Sequence, residues 1–322
     1  MLLIKQFPSF GFRVLTALII GAACFALYFH RAAIVIAADS HWKLPNKTPS
    51  TFSIPKKIWY KLGPRGMGPE ILNWTDSCLL KNPTFTREFL TDTSADQYVK
   101  THFSHLPDLV ETYLSLPIPI LKADLLRYLL LLAEGGIWND LDVSCENISI
   151  HEWIPEQFRL DAKLVVGLEF DVGYDHDFPR QFATWTVLAR PGSRHLQTVV
   201  DDILNEIKAT KHMYNLTSTS ELSLGMVGDV VDYTGPRRLA VSVLKSLSEQ
   251  LGEIVNERNV SRLLSPKLIE DVLILPGYAF ALSANKYDGV KWPNGTDFVH
   301  GSPLVTHHYA GSWKNSNGGE IV

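Results

Sequence analysis

Residues 119–145, PILKADLLRYLLLLAEGGIWNDLDVSC, constrain the fold more than any other stretch. Leu121, Leu125, Leu129 and Leu132 recur at helical spacing and mark one face, and Gly135 with Gly136 supplies a C-cap. IWNDLDV then reads as a strand. A Leu-rich helix that feeds an apolar strand belongs in an α/β domain, where the sheet covers the helix's apolar face. Four side chains do not suit a plain core unit. Asp124 and Arg127, three apart, share a helix face. Asp140 and Asp142, two apart, project to one side of a strand. An exposed ion pair would account for Asp124 and Arg127, worth a few tenths of a kcal/mol. The leucines around them instead point to burial, and a buried charged pair needs a polar site to face. That site falls at the carboxyl end of the strand, where open α/β sheets bind ligands. Two carboxylates there repel unless a cation lies near them. Hard oxygen ligands suit Mg²⁺ or Mn²⁺, ions that share their shell with phosphate oxygens.

The rest of the chain follows the same alternation. IPKKIWYKLG opens the domain as a short strand and a Gly/Pro loop, GPEILNWTDSCLL is helical, and TFTREFL is strand-like. SADQYVKTHF is a helix with Ser94 as its N-cap. KLVVGLEF and QFATWTVLA are strands, SRHLQTVVDDILNEIK and RRLAVSVLKSLSEQL are helices, and PLVTHHYAGSWK is a strand running into a loop. Strands alternating with helices predict a largely parallel sheet. Neither a GxGxxG fingerprint nor a Walker-type loop occurs. A second Asp-x-Asp, Asp175 and Asp177 in GYDHDFP, reads as a solvated loop. Cys78 and Cys145 either pair in an oxidising compartment or are two buried thiols.

The N-terminal segment is of another kind. VLTALIIGAACFALYF, Val14 to Phe29, is uncharged and contains Cys24; AAIVIAA follows after His30 and Arg31. Together they approach the roughly 20 apolar residues of a membrane-spanning helix. Lys5 and Arg13 precede the run and no acidic residue does, which predicts a cytosolic N-terminus. A cleaved signal peptide, with Ala37 and Ala38 at the cleavage site, is the rival reading; the run is longer than a typical signal core. The expected layout is a tail over 1–13, an uncleaved anchor over 14–38, a polar stem over 39–53 and a lumenal domain over 54–322. Asn46, Asn73, Asn147, Asn215, Asn259 and Asn294 each begin an Asn-x-Ser/Thr triplet, and all lie beyond the anchor. The net charge of −4 shows no basic field, so nucleic acid is not an expected partner.

IPKKIWYKLG, LKADLLRYLLLLAEGGIWNDLDV, QFATWTVLARPG, DYTGPRRLA and HHYAGSWK, in this order, resemble the family 32 glycosyltransferases, which include fungal α-1,6-mannosyltransferases of N-glycan outer chains. The resemblance runs from about Ile54 to Lys314. It implies a GT-A fold, a GDP-mannose donor, a glycan acceptor, a Mn²⁺ (or Mg²⁺) ion and a Golgi membrane location as a single-pass type II protein. It implies Asp142 as main metal ligand, Asp140 toward ribose and metal, and Asp124 with Arg127 on the donor sugar. Trp59 would stack on the base or else be core. His307 or His308 would complete the metal shell or bind the diphosphate, and only one of them should face the site because a strand alternates. Ser312 and Trp313 would close over the diphosphate, with Gly235 and Pro236 in a turn beside the donor. Ala123 departs from the Ser that many relatives carry before the Asp. The family retains anomeric configuration; no carboxylate here declares itself a nucleophile, so front-face attack is expected. Glu169 and Asp171 either hold the acceptor or are ordinary strand-end charges. Two alternatives remain: transfer to an inositol phosphoceramide glycolipid, and a membrane-anchored sugar-binding protein without catalysis. A binding protein has no need of the whole Asp124, Arg127, Asp140, Asp142 and His set.

The sequons and flanking charges make the topology testable. Endoglycosidase treatment of the protein from its native host is expected to increase gel mobility. No shift, together with protease access from the cytosolic side, would reverse the orientation.

Overall fold

The computed structural model describes residues 54–175, 178–311 and 313–319, all within one compact unit. The expected anchor and stem, Cys24, Asn46, Asp177 and Ser312 lie outside the described residues. Among the described residues no helix is long and apolar enough to cross a membrane.

In chain order the elements are β1 (Lys57–Lys61), α1 (Pro69–Leu80), β2 (Thr86–Leu90), α2 (Asp92–His102), α3 (Pro107–Ser115), α4 (Pro119–Ala133), β3 (Gly136–Asn139) and β4 (Val143–Cys145). There follow β5 (Leu164–Gly167), β6 (Thr186–Ala189), α5 (Arg194–Met213), α6 (Leu224–Val227), α7 (Val230–Tyr233) and α8 (Pro236–Leu251). β7 (Lys267–Ile269), β8 (Val272–Leu275), α9 (Gly277–Ala281) and β9 (Val305–His307) complete the set. The main sheet has seven strands in the order β2-β1-β3-β6-β5-β8-β7. Pairing is parallel for β1/β2, β1/β3 and β5/β8. It is antiparallel where β6 enters between β3 and β5, and at the β7 edge. β2, β1, β3, β5 and β8 therefore run one way, and β6 and β7 run the other.

The Leu-rich helix α4 is the centre of the packing. Leu121 and every residue from Asp124 to Leu132 are buried, so its leucines face the core on all sides and not along one face. Each such leucine contributes about 1.5–3 kcal/mol by leaving water. The helix packs on α5, which packs in turn on α8. Pro119 at its first turn suits a position with no helical N–H to lose. Gly135, at φ +69°, ends it in the left-handed region. A Cβ at Gly135 would lie 2.7 Å from the Ala189 carbonyl, so the turn into β3 requires glycine for space as well as for φ.

Two local expectations are corrected. Helix α2 begins earlier, at Asp92, with Thr91 as its N-cap. Ser94 is the N3 partner in a reciprocal capping box: Thr91 Oγ1 accepts from Ser94 N, and Ser94 Oγ accepts from Thr91 N. IWNDLDV is not one strand. β3 stops at Asn139, and Val143 N donates to the Asp140 carbonyl at 3.2 Å to close a turn. β4 then leaves the main sheet to pair antiparallel with β9. It is drawn away by its surroundings: Cys145 is disulfide-bonded to Cys78 on α1, and Cys145 N donates to Ser77 Oγ at 2.8 Å. The alternatives left open for the two cysteines are thus resolved as a pair.

The bond spans 67 positions of sequence. Replacing Cys78 and Cys145 together by Ala is expected to lower unfolding free energy by about 2–4 kcal/mol, read from urea unfolding without reductant. An unchanged midpoint would mean that the bond does not constrain the folded protein.

Candidate functional site

The turn after β3 lies in the wall of a cavity of about 920 Å³. Trp138 Nε1 donates to Asp140 Oδ1 at 2.7 Å, and Arg127 Nη2 reaches the same oxygen at 3.2 Å. Asp142 Oδ2 accepts from Ala310 N at 2.8 Å and lies 3.3 Å from His307 Nε2. The β4/β9 ladder makes this possible, because Val143 is the register partner of His307. Asp140, Asp142 and His307 form a cluster whose potential ligand atoms all lie within 4.8 Å of one another.

Arg127 and Asp124 supply the next wall. Both are buried at 3% exposure, with Arg127 Nη2 3.1 Å from Asp124 Oδ1. Thr234 Oγ1 donates to Asp124 Oδ2 at 2.7 Å. Arg127 Nε and Nη1 meet no acceptor in hydrogen-bonding geometry, and the residue lines the cavity. Burial pushes the Asp124 carboxyl up to about 6, against the Arg127 charge and the Thr234 hydroxyl. Burial also raises Asp140, again opposed by Arg127. At Asp142 burial is outweighed by His307 and the Ala310 N–H, and its pKa is lowered. For Arg127 burial opposes the charge, but Asp140 and Asp124 outweigh it and raise the pKa. With all groups ionised and His307 neutral, three carboxylates and one guanidinium leave two negative charges. Two carboxylate oxygens, an imidazole and that excess charge fit a divalent cation.

The remaining candidates separate. His308 is corrected as a metal ligand: its ring stacks on Trp74 at 4.4 Å and its Nε2 meets Ser144 Oγ at 2.9 Å, away from Asp142. His308 lies just past the end of β9, and only His307 reaches the cluster. Trp59 is corrected as a base-stacking residue. It is fully buried, its Nε1 donates to the Gly135 carbonyl at 2.9 Å, and its ring meets Tyr98 edge-on. It supports the turn after α4 and does not line the cavity. Trp313, Gly235 and Pro236 do line it. Glu169 lines it too, and accepts from Gln181 Nε2 at 2.7 Å. Asp171 does not; it is fully buried and accepts from Arg262 N at 2.5 Å and Leu263 N at 2.9 Å. Asp175 is exposed, as a loop residue.

Sequence reasoning missed Thr234, Gln181, Trp185 and Tyr309. Trp185 stacks on the His307 ring at 4.3 Å, and Tyr309 leans on it at 4.2 Å. All four sat in quoted blocks, DYTGPRRLA, QFATWTVLARPG and HHYAGSWK, but nothing in those blocks singled them out from their neighbours.

Residues 69–159 match the family described as "Glycosyltransferase sugar-binding region containing DXD motif". The chain is 32% identical to an initiation-specific alpha-1,6-mannosyltransferase of Schizosaccharomyces pombe over 279 residues, 84% of this chain and 66% of that one. It therefore spans just under two thirds of that relative's length. It is 27% identical to the protein of the same description from Candida albicans over 287 residues, 81% of this chain and 72% of that one. A shorter match, 31% over 114 residues, links 34% of the chain to 30% of a mannosyl phosphorylinositol ceramide synthase of Saccharomyces cerevisiae.

Burial raises the Glu169 carboxyl to about 7 from 4.5, against its Gln181 hydrogen bond. A folded-state pKa above the unfolded one means the folded protein holds the proton more tightly. The resulting stability is complete below the unfolded value and is lost as pH rises through about 7, a span of roughly 3 kcal/mol. Glu169→Gln is expected to flatten the fall in thermal stability between about pH 5 and about pH 8. Parallel curves for variant and wild type would show that Glu169 is not the titrating group.

Proposed function

Since the chain belongs to the family of glycosyltransferases whose sugar-binding region carries an Asp-x-Asp motif, we propose that it moves mannose from GDP-mannose to a glycan acceptor, with retention and with a divalent metal, on a GT-A fold. One observation carries the proposal: Asp140, Asp142 and His307 converge on one cavity with the buried Asp124–Arg127 pair. A binding protein would gain nothing from burying that pair beside two further carboxylates, since buried charge is costly.

Asp142, Asp140 and His307 would hold Mn²⁺ (or Mg²⁺). When bound, the ion offsets the charge of the departing nucleoside diphosphate. Arg127 lines the cavity, keeps positive potential in a water-poor wall and faces the donor sugar. Asp124, oriented by Thr234, accepts from a sugar hydroxyl. Trp185 holds the His307 ring flat and leaves Nε2 toward Asp142. Front-face attack requires no protein nucleophile: the leaving phosphate oxygen takes the acceptor's proton.

The proposed place is the Golgi lumen, with the chain anchored by residues 14–38. Asn73, Asn147, Asn215, Asn259 and Asn294 are all exposed, and the Cys78–Cys145 bond suits an oxidising compartment; both support that assignment. Transfer to an inositol phosphoceramide is the second reading, favoured only by the shorter match noted above.

The first test is a radiolabelled screen of nucleotide sugars with Mn²⁺ and no acceptor, in which slow hydrolysis of GDP-mannose alone is expected. Asp142→Ala is expected to abolish turnover with little loss of stability, and chelators to inhibit the wild type. Arg127→Lys keeps the charge but loses the planar fork, and is expected to lower kcat/KM about 30- to 1000-fold, or about 2–4 kcal/mol. Binding of free GDP is expected to change little. Near-normal turnover in Arg127→Lys would return the pair to a structural role, and a chelator-resistant wild type would remove the metal.

A further inference from the structure

Phe170 and Tyr309 line the cavity, and two further rings, Tyr174 and Phe178, pack on Phe170 beside it. Asp140 links to Arg127, whereas Asp142 links to His307 and, through ring contacts, to Trp185 and Tyr309. The two carboxylates thus divide the cavity into an Arg127 side and a Tyr309 side. On the second side the chain leaves β5 through Glu169 and Phe170 and returns to β6 through Gln181, Thr184 and Trp185, all of which line the cavity. Phe170 meets Tyr174 at 5.3 Å and Phe178 at 5.5 Å, and Tyr174 meets Phe178 at 4.6 Å.

Three features set this group apart from ordinary core. Phe178 is 38% exposed and Tyr309 45%, so the rings are not there to fill an interior. The backbone beneath them is pinned. Asn285 Oδ1 accepts from Asp171 N and Val172 N, Asn285 Nδ2 donates to the Glu169 carbonyl, and the Asp171 carboxylate holds Arg262 N and Leu263 N. Tyr309 stands at φ +52°, a left-handed conformation that costs a bulky residue free energy, and strain of this kind concentrates at ligand sites.

We propose that Phe170, Tyr174, Phe178 and Tyr309, with the Glu169–Gln181 pair as a polar floor, form the subsite for a pyranose ring of an oligosaccharide acceptor. The proposal rests on the transferase reading above and assigns residues to the glycan acceptor that reading names. A pyranose has apolar C–H faces and a polar hydroxyl edge. The rings meet at 64°, 75° and 41°, which makes a corner and not a flat sheet, and a corner presents ring faces to more than one sugar surface. Gln181 and Glu169 sit where ring hydroxyls would be met. A surface for lipid tails would have contiguous apolar side chains and no buried carboxyl at its base. On this arrangement the acceptor hydroxyl approaches Asp142 from the Tyr309 side, opposite the sugar held by Asp124 and Arg127.

The test uses the full chain with Phe178→Ala, Phe170→Ala and the conservative Phe178→Tyr. Binding of a mannose oligosaccharide is titrated without donor, and transfer and acceptor-free donor hydrolysis are measured separately. Each Ala variant is expected to weaken oligosaccharide binding and raise acceptor KM about three- to tenfold, with kcat and donor hydrolysis little changed. Phe178→Tyr is expected to restore both. Unchanged oligosaccharide binding in both Ala variants overturns the subsite, as does an equal loss of donor hydrolysis, which would mark a structural role. Losses confined to inositol phosphoceramide in vesicles, with oligosaccharide transfer intact, would also overturn it. A wild type that binds oligosaccharide, loses that binding in the variants and hydrolyses no donor would keep the subsite and refute the transferase reading.

Discussion

Arg127 holds the site to the core. Its guanidinium lies at 3% exposure inside a helix whose other central residues are apolar, with Asp124 3.1 Å away on the same helix and Asp140 3.2 Å away beyond the next strand. A charge so placed is tolerable only when paired on more than one side, and removing one partner of a buried pair costs about 3–5 kcal/mol. The pairing therefore fixes the middle of α4 to the turn at the end of β3. It also sets the charge of the cavity, because one cation among three carboxylates leaves room for a second.

The break in the strand after Asn139 does the rest. Were IWNDLDV a continuous strand, Asp140 and Asp142 would share one face at fixed spacing, and no histidine would follow from that geometry. The turn instead lets Asp140 fold back on Trp138 and Arg127 while Asp142 faces β9. β4, tethered to α1 through Cys145, carries β9 against the opening of the main sheet, and β9 delivers His307 and, beyond it, Tyr309. The disulfide, a covalent restraint outside the cavity, thus positions the strand on which the cavity's histidine depends.

The wall around β5 and β6 shows how two neighbouring carboxylates acquire different roles. Glu169 and Asp171 lie two apart at the end of one strand. The chain turns between them, so Glu169 meets Gln181 and the cavity, while Asp171 turns inward to two backbone amides and the Arg180 guanidinium at 3.5 Å. Their burial is similar, and the difference is in partners. Glu169 has one neutral donor and its pKa rises to about 7. Burial raises Asp171 as well, but the Arg262 and Leu263 amides and Arg180 oppose that and make it a clamp for the aromatic loop.

Much was legible in the chain before any fold was known. The alternation of apolar strands and helices, the Leu-rich α4 with its glycine stop, and the pairs Asp124/Arg127 and Asp140/Asp142 are local patterns, and local spacing reports which residues leave water together. What spacing could not report is which distant residue faces them. Trp59 reads the same as a core residue or a stacking platform until the Gly135 carbonyl takes its N–H. His307 and His308 are told apart only by where β9 ends and by its partner, β4, some 160 positions earlier. Cys78 and Cys145 become a bond only when α1 and β4 meet. The sequence by itself determined the elements and the charged groups that must be satisfied; the tertiary structure decided their partners. The physical reason is that burial is a property of a segment, whereas a hydrogen bond, an ion pair or a ligand set is a property of two segments brought together.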